Sequence, residues 1–196
     1  MRYVIMADGK GTRWGNYSGI PKHLIKIGDE TLLERTVRLI KQTDESNEIV
    51  ITSHDYRYEV EGAVRYEPKN NVLEIDRFTD ELIDDGVVFL YGDTYYTDDS
   101  IKTIVESETD TILFFGNRKS IVAIKVENGE IFRCHVDKVR RLFLEGKINR
   151  CVGWQVYQSF EGLPFGDNII ADDYVVVEDS TRDFNAPEDL KDSIIL

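Results

Sequence analysis

Hydrophobic positions along the chain follow two rhythms. Residues 2–7, 48–53 (EIVITS), 87–91 (VVFLY) and 111–115 (TILFF) are short runs dense in β-branched and aromatic residues, which predicts buried strands. A weaker strand at 63–66 is stopped by Pro68, and HLIKI (23–27) reads as a brief extended stretch. Between these runs the apolar positions recur every three or four residues. Thr31-Leu-Leu-Glu34 has the form of a capping box and opens a helix whose apolar face is Leu32, Leu33, Thr36, Val37, Leu39 and Ile40, with Glu34 and Arg38 paired four apart outside it. A second helix is predicted over 71–83, capped by Asn71 or following it, with Val72, Ile75, Leu82 and Ile83 inward and Gly86 beyond its end. Others fall around 101–105 and over 136–145, where Val136, Val139, Leu142 and Phe143 face inward before Gly146, and Pro187 opens a short closing helix.

The runs IVAIKV (121–126) and EIFRC (130–134) flank Asn128-Gly129, a dipeptide that predicts a hairpin. GWQVYQ (153–158) and DYVVVE (173–178) read as the last strands. Strand and helix alternate through the first half, so the fold class is α/β with a mostly parallel sheet, and the hairpin predicts an antiparallel addition in the second half. In such sheets ligands bind beyond the carboxyl ends of the strands. Two segments follow strands directly and should share that rim: the loop from 8 to 22 and Gly92-Asp93.

Composition narrows the partners. The 196 residues fit one domain, 1–196, and a soluble domain of that size buries about 70% of its unfolded surface without needing a metal or disulfide. Cys134 and Cys151 are far apart, with no CxxC partner or metal-spaced His, and read as reduced structural thiols of a cytoplasmic protein. VIMA is too short for a signal segment, and no run approaches the ~20 apolar residues of a membrane span, so no membrane partner is expected. A formal charge of −13 argues against nucleic acid, and the sequence leaves a homo-oligomer open. Within that acidic chain, Lys10, Arg13 and Lys22 are a local positive cluster around a glycine loop.

Glycines in a loop after a strand let backbone N–H groups approach a polyphosphate. A dinucleotide fingerprint would need Gly where Trp14 stands, and a Walker loop would need Lys-Ser/Thr after four spacers; neither fits. Met6-Ala7-Asp8-Gly9-Lys10-Gly11-Thr12-Arg13 followed by Pro21-Lys22 instead resembles the loop of the sugar-phosphate nucleotidyltransferases. Gly92-Asp93 resembles that family's Gly-Asp metal motif, and Asp183-Phe-Asn-Ala-Pro-Glu-Asp-Leu190 resembles its C-terminal segment. The three motifs occur in the family's order and span nearly the whole chain.

The resemblance implies a Rossmann-like three-layer sandwich, of the compact molybdenum-cofactor-guanylyltransferase-like type, in which a nucleoside triphosphate and a small phosphorylated acceptor bind side by side with Mg²⁺. By the match, Arg13 holds the leaving phosphates and Lys22 neutralises charge at the α-phosphate. Ala7, Asp8, Gly9, Lys10, Gly11 and Thr12 form the nucleotide cradle, while Asp93 and Asn185 ligate the metal. Asn70 and Asn71 lie where relatives contact the nucleotide, although a helix cap is the favoured use for them. Asp8 replaces a small family residue and leaves the base open; the short C-terminal half, with no Glu-Lys-Pro acceptor motif, favours CTP with UTP or GTP as alternatives, and a product serving a surface polysaccharide or similar conjugate. On the acceptor side, Trp154 and Gln155 read either as core or as a wall for a small polar acceptor, and Arg118 and Lys119 as turn residues within reach of its phosphate. Two rivals remain at this level: a nucleotide-sugar glycosyltransferase of related fold, which leaves Arg13 and Lys22 without a γ-phosphate to bind, and a non-catalytic nucleotide-binding module.

Overall fold

In the computed structural model, which describes residues 1–15, 17–45, 47–166 and 169–190, the early apolar runs form strands β1 (Arg2–Met6), β4 (Glu48–Thr52), β5 (Val64–Tyr66) and β6 (Val87–Tyr91). A short antiparallel pair, β2 (Lys26–Ile27) and β3 (Glu30–Thr31), lies between the first two. Later come β7 (Thr94–Tyr95), β8 (Ile112–Gly116), β9 (Ile121–Val126), β10 (Tyr174–Val176) and β11 (Arg182–Asp183). Seven of them make one mixed sheet in the order β10-β8-β9-β6-β1-β4-β5. Every neighbouring pair is parallel except those involving β9, which runs antiparallel between β6 and β8.

Alternation along the strands sorts side chains to two faces, because successive residues of a strand point to opposite sides. Tyr3, Ile5, Val88 and Leu90 meet Leu33, Val37 and Ile40 of α1 (Leu32–Thr43) and Ile101 and Ile104 of α2 (Asp98–Glu106). On the other face Val4, Met6, Val87 and Phe89 meet Phe132, Val136 and Val139 of α3 (Gly129–Leu144) and Val156 and Tyr157 of α4 (Gly153–Glu161). The result is the three-layer α/β architecture. Phe89 and Phe132 are fully buried and stacked at 5.6 Å, each burial stabilising by about 1.5–3 kcal/mol. No helix among the described residues is long and apolar enough to cross a membrane, and Cys134 and Cys151 are both free.

Thr31 and Glu34 make the expected capping box, with Glu34 N donating to Thr31 Oγ1 at 3.2 Å and Thr31 N to Glu34 Oε2 at 2.7 Å. Arg38, however, pairs with Glu30 on β3 rather than with Glu34, since the β2–β3 pair brings a carboxylate to both forks of the guanidinium. Three larger expectations are corrected. Asn128-Gly129 is a helix start, not a hairpin: the Asn128 side chain accepts from Ile131 N at 3.0 Å, and residues 130–134 are the first turns of α3. Asn satisfies a free helical N–H as readily as it adopts a tight turn, and Gly129 is required because a Cβ there would stand 2.7 Å from the Asp84 carbonyl carbon. The antiparallel hairpin is instead β8–β9, closed by residues 117–120.

GWQVYQ is the body of α4, not a strand. Its alternation is too short to separate a period of 2 from one of 3.6, and packing on α3 decides for the helix, which Gly162 closes in the left-handed conformation. The predicted 71–83 helix is two 3₁₀ turns, Glu74–Phe78 and Asp80–Leu82. The buried Asp76 carboxylate takes the Val72 and Leu73 N–H groups at 2.8 and 2.7 Å and pairs with Arg140, so a side chain displaces the helical ladder. Asn71 is accordingly not a helix cap.

Candidate active site

The shared direction of β1, β4, β5, β6 and β8 brings the segments after their carboxyl ends to one rim: residues 7–15, 53–55, 67–78, 92–93 and 117–120. Ala7 is buried and donates its N–H to Thr52 O at 3.1 Å, fixing where the first loop leaves the sheet. Trp14 pins the loop's far side; it is buried, and its indole N–H donates to Ile20 O at 2.7 Å. Arg13, Thr12 and Lys10 are held exposed between the two anchors.

A cavity of about 400 Å³ opens on this rim. Its wall includes Arg13, Asp93 and Asn185, together with Lys119, Trp154 and Gln155. Residues expected to carry the chemistry thus come together from five separate segments. The C-terminal part is carried in by β11, which pairs antiparallel with β7, and Phe184 N donates to Asp93 O at 2.8 Å. Arg13 Nη2 donates to Asn185 Oδ1 at 2.8 Å, and the Asn185 amide donates to the Asp183 carboxylate.

Lys22 and Asp93 form an ion pair with both residues buried, at 7% and 6% exposure. Burial, the largest single influence, would raise the Asp93 carboxyl; the charge and hydrogen bond of Lys22 together with His23 and Arg77 outweigh it, and the carboxyl titrates below the usual carboxylate range. His23, beside Lys22, feels the Asp93 carboxylate, but burial outweighs that attraction. It contacts the Tyr58 hydroxyl at 3.0 Å, and burial pushes its imidazole down to about 4, so it is neutral near pH 7. The Tyr96 hydroxyl accepts from Tyr91 N at 3.0 Å and donates to Val122 O at 2.5 Å, tying the strand before Asp93 to its neighbour.

Asp8 has a structural occupation. Its Oδ1 accepts from His54 N at 3.0 Å, and its Oδ2 lies 2.9 Å from His54 Nδ1 and accepts from Asn71 Nδ2 at 2.7 Å. It straps the loop after β1 to those after β4 and β5. Lys10 Nζ reaches Val72 O at 3.5 Å across the same gap. Asn70 and Arg118 are exposed and do not line the cavity. Lys119 does, from a turn in which Asn117 Oδ1 accepts from Lys119 N at 2.8 Å and Ser120 N at 3.0 Å. Gln155 is 6% exposed, and its Oε1 has no hydrogen-bond partner among the described residues.

Reasoning from the sequence missed Glu74, Arg77, Asp183, Asn149 and Arg150, all on the cavity wall. The first two lie in a segment read as an ordinary helix. Asp183 was visible within the C-terminal motif, yet its carboxylate faces the cavity alongside the motif's Asn185, and Ser120 Oγ donates to it at 3.3 Å. The described residues hold no cluster of three or more His, Cys, Asp or Glu placed for a metal ion. Asp93, Asp183 and Asn185 share the cavity wall and carry carboxylate and amide oxygens as candidate ligands. That suits Mg²⁺, which takes one or two carboxylates and completes its shell with water and substrate phosphate.

No protein-family model matches the chain, and no curated protein matches it in sequence. Solved structures do match it in fold. A CTP:phosphocholine cytidylyltransferase from Streptococcus pneumoniae aligns over 97% of this chain and 96% of its own, at TM-score 0.61 and 15% identity. The inositol-1-phosphate CTP transferase from T. maritima aligns over 96% and 90%, at TM-score 0.58 and 12% identity. A UTP-bound UGPase from Acinetobacter baumannii aligns over 95% and 89%, at TM-score 0.64 and 10% identity. The chain therefore has the nucleotide-diphospho-sugar transferase fold.

Proposed function

We propose that the chain is a nucleotidyltransferase, moving a nucleoside monophosphate from a nucleoside triphosphate to a small phosphorylated acceptor. The observation that carries this reading is the meeting of Arg13, Asp93 and the Asp183–Asn185 segment on one cavity at the carboxyl ends of parallel strands, with Lys22 buried behind its wall in an ion pair with Asp93. An oxygen of the acceptor phosphate attacks the α-phosphorus, the bond from that phosphorus to the oxygen bridging the β-phosphorus breaks, and pyrophosphate leaves. The attacking oxygen is already ionised, so the protein's task is to position two polyanions and offset their charge.

Arg13 meets the leaving phosphates from the end of the glycine loop. Lys22 is held at the junction with Asp93 and stabilises charge developing on the transferred phosphate. Asp93, with Asp183 and Asn185, would hold Mg²⁺, which when bound neutralises phosphate charge. Lys119, Trp154 and Gln155 form the acceptor side. CTP is the favoured donor, in keeping with the cytidylyl transfer named for two of the similar structures.

Pyrophosphate release, scanned over four nucleoside triphosphates and a panel of phosphorylated sugars, alcohols and amines with Mg²⁺, tests the reading. Release that requires one triphosphate and one acceptor class together is the expected result. Triphosphate binding with no release across the whole panel would overturn it in favour of a binding module.

A further inference from the structure

We propose that Arg77 is a phosphate-binding residue, its guanidinium meeting a phosphoryl oxygen where the loop after β1 faces Asp93; this rests on the nucleotidyl-transfer reading. Gly9 gives the first reason. Its φ is not in the left-handed region, unlike that of Gly11 at 57°, so the backbone does not demand glycine there. The guanidinium of Arg77 lies directly against it: a Cβ on Gly9 would stand 3.3 Å from both Cζ and Nη2, so a side chain there would displace the guanidinium by a few tenths of an ångström. The loop has given up a side chain where a cation lies against it.

The second reason is that this cation has donors left over. Arg77 makes no hydrogen bond among the described residues; its nearest carboxylate is Glu74 Oε1, 3.4 Å from Nη1 and itself half exposed. Lys22 is taken up by Asp93, and Arg13 commits only its Nη2, to Asn185, so Arg77 joins Arg13 in turning unused N–H groups to the cavity. A guanidinium presents five donors in a planar fork that fits phosphate oxygens two at a time. Third, the backbone that carries Arg77 is fixed: the Asp76 carboxylate accepts from Val72 N and Leu73 N and pairs with Arg140, which sets where the arginine leaves the turn.

The oxygen belongs either to the triphosphate or to the acceptor's phosphate, and titration separates the two. Wild type, Arg77→Gln, Arg77→Lys and Glu74→Gln are titrated calorimetrically with CTP, UTP, GTP and ATP, and the acceptor KM for pyrophosphate release is measured in parallel. A weakening of triphosphate binding by about 10- to 100-fold in Arg77→Gln, partly restored in Arg77→Lys, assigns the oxygen to the nucleotide. An acceptor KM raised by a similar factor with nucleotide affinity unchanged assigns it to the acceptor. Both support the proposal. Unchanged nucleotide affinity together with unchanged acceptor KM overturns it, and so does an equal loss in Glu74→Gln, which would make Arg77 a mere partner of Glu74. Triphosphate binding that depends on Arg77 without any pyrophosphate release would sink the transfer reading while leaving the phosphate site. Normal release by Arg77→Gln would do the reverse.

Discussion

The two sides of the cavity are built on different physical terms. On the donor side, Lys22, His23 and Asp93 are buried between the ends of central strands, and each charge there is offset by another. On the acceptor side, Lys119 sits exposed on a turn and Trp154 lies half-buried on a helix flank, with the turn and helix held by their own backbone and caps. The first side is fused to the core, so changing its chemistry also changes stability. On the second, Lys119 stands clear of the core, so its charge can change with little effect on the fold, whereas Gln155 is buried and Trp154 packs on Tyr157 and Tyr174.

Lys22→Met or Asp93→Leu alone should give the largest effect. Each leaves its partner's charge buried and unpaired, which costs about 3–5 kcal/mol of stability, and turnover should fall by roughly 1,000-fold or more. The double variant separates the two losses: denaturant unfolding should recover most of the stability while pyrophosphate release stays abolished. Recovery of turnover in the double variant would break the comparison.

Acid should weaken the donor side next. The His23 imidazole titrates at about 4 in the folded protein and near 6.5 unfolded. Above pH 6.5 both states are neutral there; below it the unfolded chain takes up a proton that the folded chain refuses, so stability falls until about pH 4, by about 3 kcal/mol in total. The depressed Asp93 carboxyl adds to the loss only below its ordinary range, as pH falls through its folded value. Denaturant unfolding from pH 7 to pH 4 should show the decline, and His23→Gln, which retains a hydrogen-bonding group for Tyr58, should flatten it. Smallest of all should be the stability effect of Lys119→Ala, within about 0.5 kcal/mol, with the acceptor KM rising and nucleotide affinity unchanged. A large stability loss there would show that the two sides are not built differently after all.

The same division governs what could be read from the sequence. β1, β4 and β6 announce themselves as apolar runs because they are buried on both faces, whereas β5 is a short, partly exposed edge strand with a weaker signal; Asp93 follows β6 directly, and Arg13 and Lys22 are legible through their loop motif. The proposed acceptor side is assembled from 119–121 and 149–155, segments with no common period, and its principal helix reads as a strand in the sequence. Asn128 is ambiguous because one side chain serves two kinds of chain reversal, and Arg77 carries no sequence signal because its turn is shaped by Asp76 and not by periodicity. Asp8, the residue hardest to place from the sequence alone, is accounted for by His54 and Asn71, partners 46 and 63 positions away.

The pairing of β11 with β7 involves only two residues on each strand, far fewer than hold the central sheet. What anchors the segment is Phe184, fully buried between Asp183 and Asn185, whose N–H donates to Asp93 O at 2.8 Å. One aromatic side chain therefore fixes two residues of the cavity wall at once, and through Asn185 the orientation of Arg13 as well.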